Sequence, residues 1–456
     1  MKSIIATTVF GIIMMFAGFM LRDRKSAVGL AQVLLLVLLG INIWDITTVA
    51  PGYTMPIYNG MLRMDSDALW LNALMTGCTL LYACLVGKEV LRVGTQVAEY
   101  FALIFFMLCG VYVLSSYHSL LMMFLGIEIL SIPQYILAGS DKRNLKSSEA
   151  SLKYFLMGSF STGILLMGIA LLYGASGSFY ISSFSVFTAD TVSPIAVSGL
   201  LLVMIALGFK VSAAPLHLWT PDVYDGAPTP FTAYMATVGK AAAFFAFIRL
   251  FHNGFGGMSS RWTLVLAVIT ALTLFIGNLT AVFQQSVKRM LAYSSIAQAG
   301  FMLFAVLAMN NAAVEGIRIY AVAYTVATVG LFAVMMKLKD YTYDGFNGLA
   351  KREPLLAFMA TIFLFSLVGI PLTGGFMAKY WVLRAAVQQG GLLWLVLFGL
   401  VMAAVSAYYY FRVIMAMYFK TGEPELQSPV TASDKWLLGV ACALVVLLGV
   451  APQIVL

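Results

Sequence analysis

The chain alternates long apolar runs with short polar segments, and the apolar runs have the length of membrane-spanning helices. About 18 or more apolar residues suffice to cross the hydrocarbon core of a bilayer as a helix. Such runs lie near 3–20, 27–46, 68–87, 97–115, 118–138, 150–174, 193–215, 231–251, 262–283, 290–308, 313–336, 355–387, 391–417 and 435–455. The pattern predicts an all-α, polytopic membrane protein with about fourteen transmembrane helices.

Two of these runs carry a proline at an internal break. Residues 212–216 (SAAPL) end one run, and residues 368–372 (VGIPL) interrupt the run 355–387 just before Gly374 and Gly375. Proline removes a helix hydrogen bond, and in lipid the freed carbonyl groups must be buried in protein or line a wet cavity. We therefore expect both helices to be broken inside the membrane.

Broken helices at matching places in two halves of a chain are typical of inverted repeats. The two breaks favour a single transmembrane domain, 1–456, that contains two inverted five-helix repeats, 97–251 and 262–417. The alternative is two ordinary proline kinks without internal symmetry.

The composition agrees with a membrane protein. Of the 456 residues, 61% are hydrophobic and only 10% are charged, and the mean hydropathy is +0.94. Soluble domains carry about 25% charged residues, so a water-facing surface is excluded. The net charge of +8 does not indicate nucleic-acid binding, because lysine and arginine collect in the loops of one side.

The distribution of basic residues predicts the topology. Loops after the odd-numbered helices hold most of the lysines and arginines, so the positive-inside rule places them in the cytoplasm. An even number of helices then puts both termini on the outer side of a bacterial cytoplasmic (inner) membrane. The first run is not expected to be a signal peptide, because only Lys2 precedes it whereas Arg22, Arg24 and Lys25 follow it.

The sequence gives no indication of a cofactor bound to this chain. Its four cysteines are scattered through apolar stretches and form no CxxC pair, and neither a phosphate loop nor a GxGxxG fingerprint occurs. We expect neither a metal nor a nucleotide, flavin or iron–sulfur cluster here. The energy source would then lie in a partner or an ion gradient.

Four charged residues fall near the centres of predicted helices: Glu128, Lys210, Lys240 and Lys379. Each costs about 2.5–3.5 kcal/mol at the bilayer centre on insertion scales, so they should face the protein interior. A lysine in an apolar site can release its proton to a neighbour, which an arginine cannot do. We interpret the row as a proton relay, and a structural Glu128–Lys210 ion pair between helices is the alternative.

Two further residues are candidates for the relay. His217 follows the first proline break and titrates in the physiological range, although a lone histidine is commonly just hydrogen-bonded. Lys153 lies one turn inside its helix beside Glu149, so it either takes part in the relay or extends to the cytoplasmic surface. Arg318 and Arg412 lie near the thirds of their predicted helices rather than at the centres, and we interpret both as structural.

Four motifs in the same order resemble those of a known family. They are EASLKYFLMGSF at 149–160 continuing to LLYGASGS at 171–178, PLHLWTPDVY at 215–224 with GAPTP at 226–230, KRMLAYSSIA at 288–297, and GIPLTGGF at 369–376 before Lys379. They resemble the subunit N family of the proton-pumping NADH–quinone oxidoreductase, respiratory complex I. The resemblance extends over most of the chain, with most weight between about residues 90 and 420.

The resemblance implies an antiporter-like fold of fourteen helices with two inverted five-helix repeats. The family's glutamate and broken-helix lysine correspond to Glu128 and Lys210, its central lysine to Lys240, and its terminal lysine to Lys379. His217 matches the histidine of the family motif. One position departs from the family: Gln298 stands where a histidine is common, which puts a proton-holding step in the second half in doubt or leaves that step to water.

The resemblance also implies partners and an overall activity. The chain would be a translocase subunit without redox chemistry of its own. NADH, FMN, iron–sulfur clusters and quinone would belong to partner subunits in a peripheral redox arm, beside other antiporter-like membrane subunits. A subunit of a multi-subunit cation/proton antiporter is the alternative, and a purely structural membrane spacer is a third hypothesis that the central lysines oppose.

Overall fold

The computed structural model describes residues 1–21, 23–48, 54–185, 187–188 and 192–455. Arg22, which contributes to the predicted topology, lies outside these described residues.

The described chain consists almost entirely of helices. In chain order they are α1 (Lys2–Met20), α2 (Arg24–Thr48), α3 (Ser66–Val90), α4 (Val97–Ser116), α5 (Leu120–Ala138), α6 (Leu145–Ser176), α7 (Pro194–Lys210), α8 (Trp219–Gly226), α9 (Thr229–Tyr234), α10 (Lys240–Gly254), α11 (Ser259–Val282), α12 (Val287–Ala308), α13 (Asn311–Met335), α14 (Leu349–Arg352), α15 (Pro354–Val368), α16 (Gly374–Gln389), α17 (Leu393–Phe419) and α18 (Ala432–Val450). A π-helical turn, Met235–Gly239, joins α9 to α10, and 3₁₀ turns lie at Ile181–Phe184, Gly256–Met258, Asp344–Phe346 and Pro452–Ile454.

The number of membrane crossings agrees with the sequence pattern. Within the described ranges, 12 helical spans are long and apolar enough to cross a bilayer. Two shorter apolar helices, α7 and α15, each continue beyond a break as α8 and α16. Twelve continuous spans and two broken ones give the predicted fourteen, and both breaks lie at the predicted prolines. The chain is a multi-pass membrane protein.

A short hairpin was not predicted from the apolar runs. Strands β1 (Met55–Ile57) and β2 (Leu62–Met64) pair in antiparallel register, with Met55 opposite Met64. Leu62 also bridges Tyr117 at the end of α4. Since these strands are only 3 residues long, their alternation is too brief to stand out from a polar loop.

Contacts between loops define two ends of the molecule. At one end Lys337, after α13, contacts Glu89 near the end of α3. We call this end the basic face, because the lysine- and arginine-rich loops meet there. At the opposite face Arg249, near the end of α10, pairs with Asp65 before α3.

The helices near the middle of the sequence form the centre of the bundle. The span Thr229–Gly254 is 100% buried within the chain, and α12 and α13 are each 94% buried, whereas α1, α6 and α18 are about one-third buried. Close backbone approach supports this packing: a Cβ on Gly277 of α11 would lie 2.7 Å from the Ala297 amide nitrogen of α12. Small residues at such crossings are typical of membrane helices. The central helices therefore hold Lys240 away from lipid, whereas Lys210 and Lys379 lie on α7 and α16.

Candidate functional site

Glu128 lies on α5 and is half-buried. Its Oε1 accepts a hydrogen bond of 2.8 Å from the Thr162 hydroxyl of α6. Thr162 also donates to the Gly158 carbonyl oxygen one turn earlier, 3.1 Å away. The carboxylate is thus held at the α5–α6 contact by a neutral hydroxyl.

Lys210 is the last residue of α7, and hydroxyl groups of α5 surround its ammonium. Its Nζ donates to Ser131 Oγ at 2.9 Å and to Tyr135 Oη at 3.2 Å. Ser131 and Tyr135 lie three and seven residues after Glu128, so all three share one helical face. Among the described residues, Glu128 and Lys210 form no ion pair within 4.0 Å, and the hydrogen bonds of Lys210 go to the Ser131 and Tyr135 hydroxyls instead.

The break after Lys210 is stabilised by side chains of other helices. Ser212 has the left-handed backbone angle φ of 65°. The Ala214 amide donates to Thr273 Oγ1 of α11 at 2.8 Å, and Trp219 Nε1 donates to the Phe209 carbonyl oxygen at 3.1 Å. Freed backbone groups in a membrane protein need such partners. The first break is therefore a built feature that places Lys210 at a helix end.

Polar side chains continue from the Lys210 environment towards the central lysine. The rings of Tyr135 and Tyr154 meet edge to face with centroids 4.7 Å apart, and the Tyr154 hydroxyl donates to Gln134 Oε1 at 2.6 Å. The Gln134 side chain packs directly against Gly239: a Cβ added to Gly239 would lie 2.2 Å from Gln134 Nε2. Gly239 precedes Lys240 in the chain, so this cluster ends beside the central lysine.

Lys240 follows the π-helical turn and is only 3% exposed. Its Nζ donates to both the carbonyl oxygen and the hydroxyl of Ser295 on α12, each at 3.0 Å, and lies 5.7 Å from the centroid of the Tyr224 ring. These oxygen partners are neutral. A buried ammonium without a carboxylate is costly, and releasing its proton removes that cost.

Lys379 lies on α16, just beyond the second break, and caps the end of α15. Its Nζ donates to the carbonyl oxygens of Leu367 at 3.0 Å and Val368 at 2.7 Å. Gly369 follows with a left-handed φ of 90°. The last carbonyl groups of a helix lack intrahelical donors and carry partial negative charge, which favours a cation there. The ammonium and the broken helix therefore stabilise each other.

Gln298 of α12 connects the central region to Lys379. Its Nε2 donates to the Leu367 carbonyl oxygen at 2.9 Å and to Tyr410 Oη at 3.2 Å. Its Oε1 accepts from the Tyr320 hydroxyl. The sequence singled out Gln298 only as a departure from the family. The structure shows that its amide uses both ends to hold neighbouring groups in place.

His217 lies in the first break and is 7% exposed. Its Nδ1 is buried, and among the described residues it has no hydrogen-bond partner. The described hydrogen bonds of Lys210 and Lys240 go to serine and tyrosine oxygens instead. The structure therefore places His217 within the broken helix but does not join it directly to these lysines.

Lys153 belongs to an ionic cluster at the basic face. Its Nζ pairs with Glu149 at 2.7 Å and with Asp222 of α8 at 2.9 Å, and its side chain is 42% exposed. Arg289 of α12 binds the other Asp222 oxygen at 2.9 Å. This arrangement agrees with the alternative in which Lys153 extends to the surface, and the cluster joins α6, α8 and α12.

The two arginines interpreted as structural have fixed partners near the helix ends. Arg318 of α13 pairs with Asp67 at the start of α3. Arg412 of α17 donates to the Gln284 carbonyl oxygen at 3.1 Å and lies 3.9 Å from the centroid of the Tyr343 ring. Both tie a helix to a neighbouring segment.

A buried ionic cluster around Lys337 was not predicted from the sequence. Lys337 is 5% exposed and pairs with Glu89 at 3.0 Å and Asp434 at 2.9 Å. Arg92 binds the second Glu89 oxygen at 2.7 Å. The cluster fastens α3, the end of α13 and α18 together at the basic face. Glu89, Lys337 and Asp434 are far apart in the sequence, so no local sequence pattern indicates that they pair.

In the described part of the chain, no group of three or more histidine, cysteine, aspartate or glutamate side chains could hold a metal ion. The chemistry that the described residues do offer is a row of buried ammonium groups linked by hydroxyl, amide and carbonyl groups.

Fold and site together define an antiporter-like membrane subunit with two broken helices. Residues 118–406, more than half of the chain, match the family described as NADH:quinone oxidoreductase/Mrp antiporter, transmembrane. NADH-quinone oxidoreductase subunit N of Cytophaga hutchinsonii is 37% identical over 100% of this chain and 99% of its own length. The chain therefore belongs to the NADH-quinone oxidoreductase subunit N family.

Solved structures agree with this assignment. A chain of respiratory complex I from Thermus thermophilus, solved with bound aureothin, is 30% identical with a TM-score of 0.85, covering 99% of this chain and 98% of that one. A chain of the Mrp complex from Dietzia sp. DQ12-45-1b has a TM-score of 0.83 at 20% identity, covering 100% of this chain and 96% of that one. The second likeness shows the fold alone.

Proposed function

We propose that the chain is the proton-translocating membrane subunit N of an NADH–quinone oxidoreductase. The observation that carries the proposal is that Lys210, Lys240 and Lys379 lie inside a membrane bundle and bond to neutral oxygens. Permanently charged ammonium groups without a paired carboxylate are costly inside a membrane, and the helix-end contacts explain only Lys379. Groups that take up and release protons in turn explain their retention.

The relay we propose runs along the bundle from Glu128 through Lys210 and Lys240 to Lys379. Ser131 and Tyr135, which follow Glu128 on α5, accept from Lys210. On α12, Ser295 accepts from Lys240, and Gln298 three residues later shares the Leu367 carbonyl oxygen with Lys379. His217 would hold a proton beside the first break, and Lys153 would act at its cytoplasmic mouth. The five-span segments 97–251 and 262–417 would be the inverted repeats that supply one broken helix each.

Electron transfer in partner subunits would drive the relay. Moving one charge against 100 mV takes about 2.3 kcal/mol, so protons need an external source of free energy. We assign NADH, FMN, iron–sulfur clusters and quinone to a peripheral redox arm, and further antiporter-like subunits to the membrane arm. The chain would lie in a bacterial cytoplasmic membrane with its basic face in the cytoplasm and both termini outside.

Substitution within the assembled complex tests the proposal. Lys240→Ala and Glu128→Ala should each impair proton pumping, measured as proton ejection per NADH oxidised in proteoliposomes, while assembly stays intact. Lys153→Ala should do less, because the Lys153 ion pairs lie at the half-exposed surface. Unchanged pumping per electron in both Lys240→Ala and Glu128→Ala would refute the relay.

A subunit of a multi-subunit cation/proton antiporter is the second candidate, because the matching family covers both kinds of complex. The full-length likeness to subunit N favours the redox-driven complex. Mild purification through a tag on this chain, followed by mass spectrometry, separates the two. Flavin and iron–sulfur subunits among the co-purifying proteins support the first, and small antiporter subunits without redox proteins support the second.

A further inference from the structure

Helix α8 follows the first break, and its carboxylate Asp222 is held from two sides. Asp222 Oδ2 lies 2.9 Å from Lys153 Nζ of α6, and Asp222 Oδ1 lies 2.9 Å from Arg289 Nη2 of α12. One carboxylate thus connects three helices that are distant in the sequence. Of these three residues the proposed relay uses only Lys153, so Asp222 and Arg289 have no assigned task.

Helix α12 also holds the other end of α8. Lys288, which precedes Arg289, donates to the carbonyl oxygens of Asp225 at 2.8 Å and Ala227 at 2.7 Å. These carbonyl groups lie where α8 ends and lack intrahelical donors. Lys288 is buried, whereas the Asp222 side chain is 38% exposed. Exposed ion pairs add little to folding stability, so the fold should survive the loss of the Asp222 charge.

A second contact between α6 and α8 lies one helical turn from Asp222. Trp219, three residues before Asp222, is buried. Its ring stacks on that of Tyr154, with centroids 4.5 Å apart and planes inclined by 10°. Tyr154 follows Lys153 directly in α6. Two adjacent residues of α6 therefore contact two residues of α8, and two such contacts fix the rotation of α8 about its own axis.

Trp219 borders the Lys210 site in two ways. Its Nε1 donates to the carbonyl oxygen of Phe209, which precedes Lys210 in the chain, at 3.1 Å. The Tyr154 ring on which Trp219 stacks meets the Tyr135 ring edge to face, with centroids 4.7 Å apart. Tyr135 Oη in turn accepts from Lys210 Nζ. The position of Trp219 therefore affects both the backbone before Lys210 and a hydroxyl that Lys210 binds.

The contact between Lys210 and Tyr135 is sensitive to small displacements. Proton transfer needs the two heavy atoms within hydrogen-bond reach, about 2.6–3.2 Å apart. Lys210 Nζ and Tyr135 Oη are 3.2 Å apart, at the upper end of this range. A small rotation of α8 that moved Trp219, and with it Tyr154, would therefore be enough to separate them.

We propose that Asp222 is a positioning residue of the proton relay: it fixes the rotation of α8 and so keeps Lys210 within reach of Tyr135. The inference rests on the proposed function, because that function gives Lys210 its task. Asp222 acts through Trp219 and does not carry the transferred proton, since each of its oxygens is bound to a cation.

The two cations bound to Asp222 are not equivalent. Lys153 also pairs with Glu149 at 2.7 Å, within α6 itself. Without Lys153, Asp222 would still be bound to Arg289, which lies on the helix that carries Ser295, the acceptor for Lys240. The small effect expected of Lys153→Ala is therefore compatible with a larger effect of removing the Asp222 charge, which abolishes both ion pairs.

Asp222→Asn tests the proposal, because asparagine keeps the size of the side chain and loses its charge. Glu149→Gln is the matched control: Glu149 pairs with the same Lys153 and lines the same cavity of about 210 Å³, but it lies on α6. Asp222→Glu restores the carboxylate. All variants are purified as the whole complex. They are compared for proton ejection per NADH oxidised and for hydrogen exchange, by mass spectrometry, of peptides that cover 209–226.

We expect Asp222→Asn to eject fewer protons per NADH than the unmodified complex, though more than Lys240→Ala, and to exchange faster in α8. Asp222→Glu and Glu149→Gln should stay close to the unmodified complex in both measurements. If Asp222→Asn does not assemble, Arg289→Gln, which removes only the contact with α12, must lower ejection.

Two results would overturn the positioning role and leave the proposed function standing. One is normal ejection in the assembled variant while Lys240→Ala is impaired. The other is an equal loss in Asp222→Asn and Glu149→Gln, because the charge of the surface and not the rotation of α8 would then matter. Normal ejection in Lys240→Ala and Glu128→Ala as well would overturn both.

Discussion

Gln298 and Lys379 donate hydrogen bonds to the same backbone oxygen, that of Leu367, at 2.9 Å and 3.0 Å. Leu367 lies in the last turn of α15, where helical carbonyl groups lack intrahelical donors. One orphan acceptor thus brings an amide of α12 and an ammonium of α16 together at the second break. The relationship gives Gln298 a defined role: it orients the acceptor that Lys379 uses.

Two substitutions of Gln298 test whether this residue acts by positioning the Leu367 carbonyl oxygen or whether a proton-holding group is needed at this place. Gln298→Leu removes the donor to Leu367 and leaves the Tyr320 hydroxyl without its acceptor, so we expect lower proton ejection per NADH in the assembled complex. Gln298→His keeps a ring nitrogen as donor and adds a titratable group. We expect it to retain pumping, measured in the same proteoliposomes. Unchanged proton ejection per NADH in Gln298→Leu would show that pumping does not depend on the hydrogen bond from Gln298 to the Leu367 carbonyl oxygen.

Lys379→Arg distinguishes charge from proton transfer at the same position. Arginine keeps the positive charge beside the end of α15 but stays protonated. We expect the complex to assemble and pumping to fail. Lys379→Met removes the charge too, and a hydrogen bond to a charged group contributes about 1.5–3 kcal/mol, so this variant should also lower the thermal stability of the purified complex. Pumping by Lys379→Arg at the unmodified rate would contradict a proton-carrying role.

The spans, the breaks and the central charges could be predicted from the sequence because each has a strong local cost. A long apolar run is unfavourable in water, and a proline or a lysine at mid-membrane is unfavourable in lipid unless the protein supplies partners for its polar groups. The sequence therefore predicted the fourteen crossings and selected Lys210, Lys240 and Lys379, which lie at two breaks and beside a π-helical turn.

The partners of those charges could not be predicted, because they depend on which helices meet. Serine, threonine and tyrosine have intermediate hydropathy and do not interrupt an apolar run. Ser131 beside Lys210 and Ser295 beside Lys240 therefore could not be recognised as lysine partners from the sequence. Lys337 was hidden differently: it follows a helix end, where a lysine is ordinary, and only the fold buries it against Glu89.

Lys337→Met should destabilise the protein strongly. Removing one partner of a buried ion pair leaves uncompensated charges and costs about 3–5 kcal/mol. Here Glu89 and Asp434 would both lose the ammonium. We expect a lower midpoint of thermal unfolding and less assembled complex.

The matched control for this substitution is Lys339→Met. Lys339 pairs with Glu425 at 2.8 Å, and the two side chains are 70% and 71% exposed. An exposed pair contributes about 0–1 kcal/mol, so its loss should be nearly neutral. Equal thermal stability of the two variants would mean that water reaches the Lys337 cluster in the assembled protein.

Gly375→Ala tests whether the second break depends on close backbone contact. A Cβ at Gly375 would lie 1.8 Å from the Ser366 carbonyl oxygen. Moving Gly375 away from that oxygen would break the hydrogen bond that its amide donates to Ser366 Oγ at 3.0 Å. Because the obstructing atom belongs to the backbone, α15 and α16 would have to separate, and Lys379 would lose its carbonyl partners. We expect poor assembly and no pumping. Gly439→Ala on α18 is the control, since a Cβ there meets nothing within 4 Å and alanine favours a helix. Normal assembly of Gly375→Ala, measured by the yield of intact complex against Gly439→Ala, would show that the break tolerates a wider spacing than its geometry indicates.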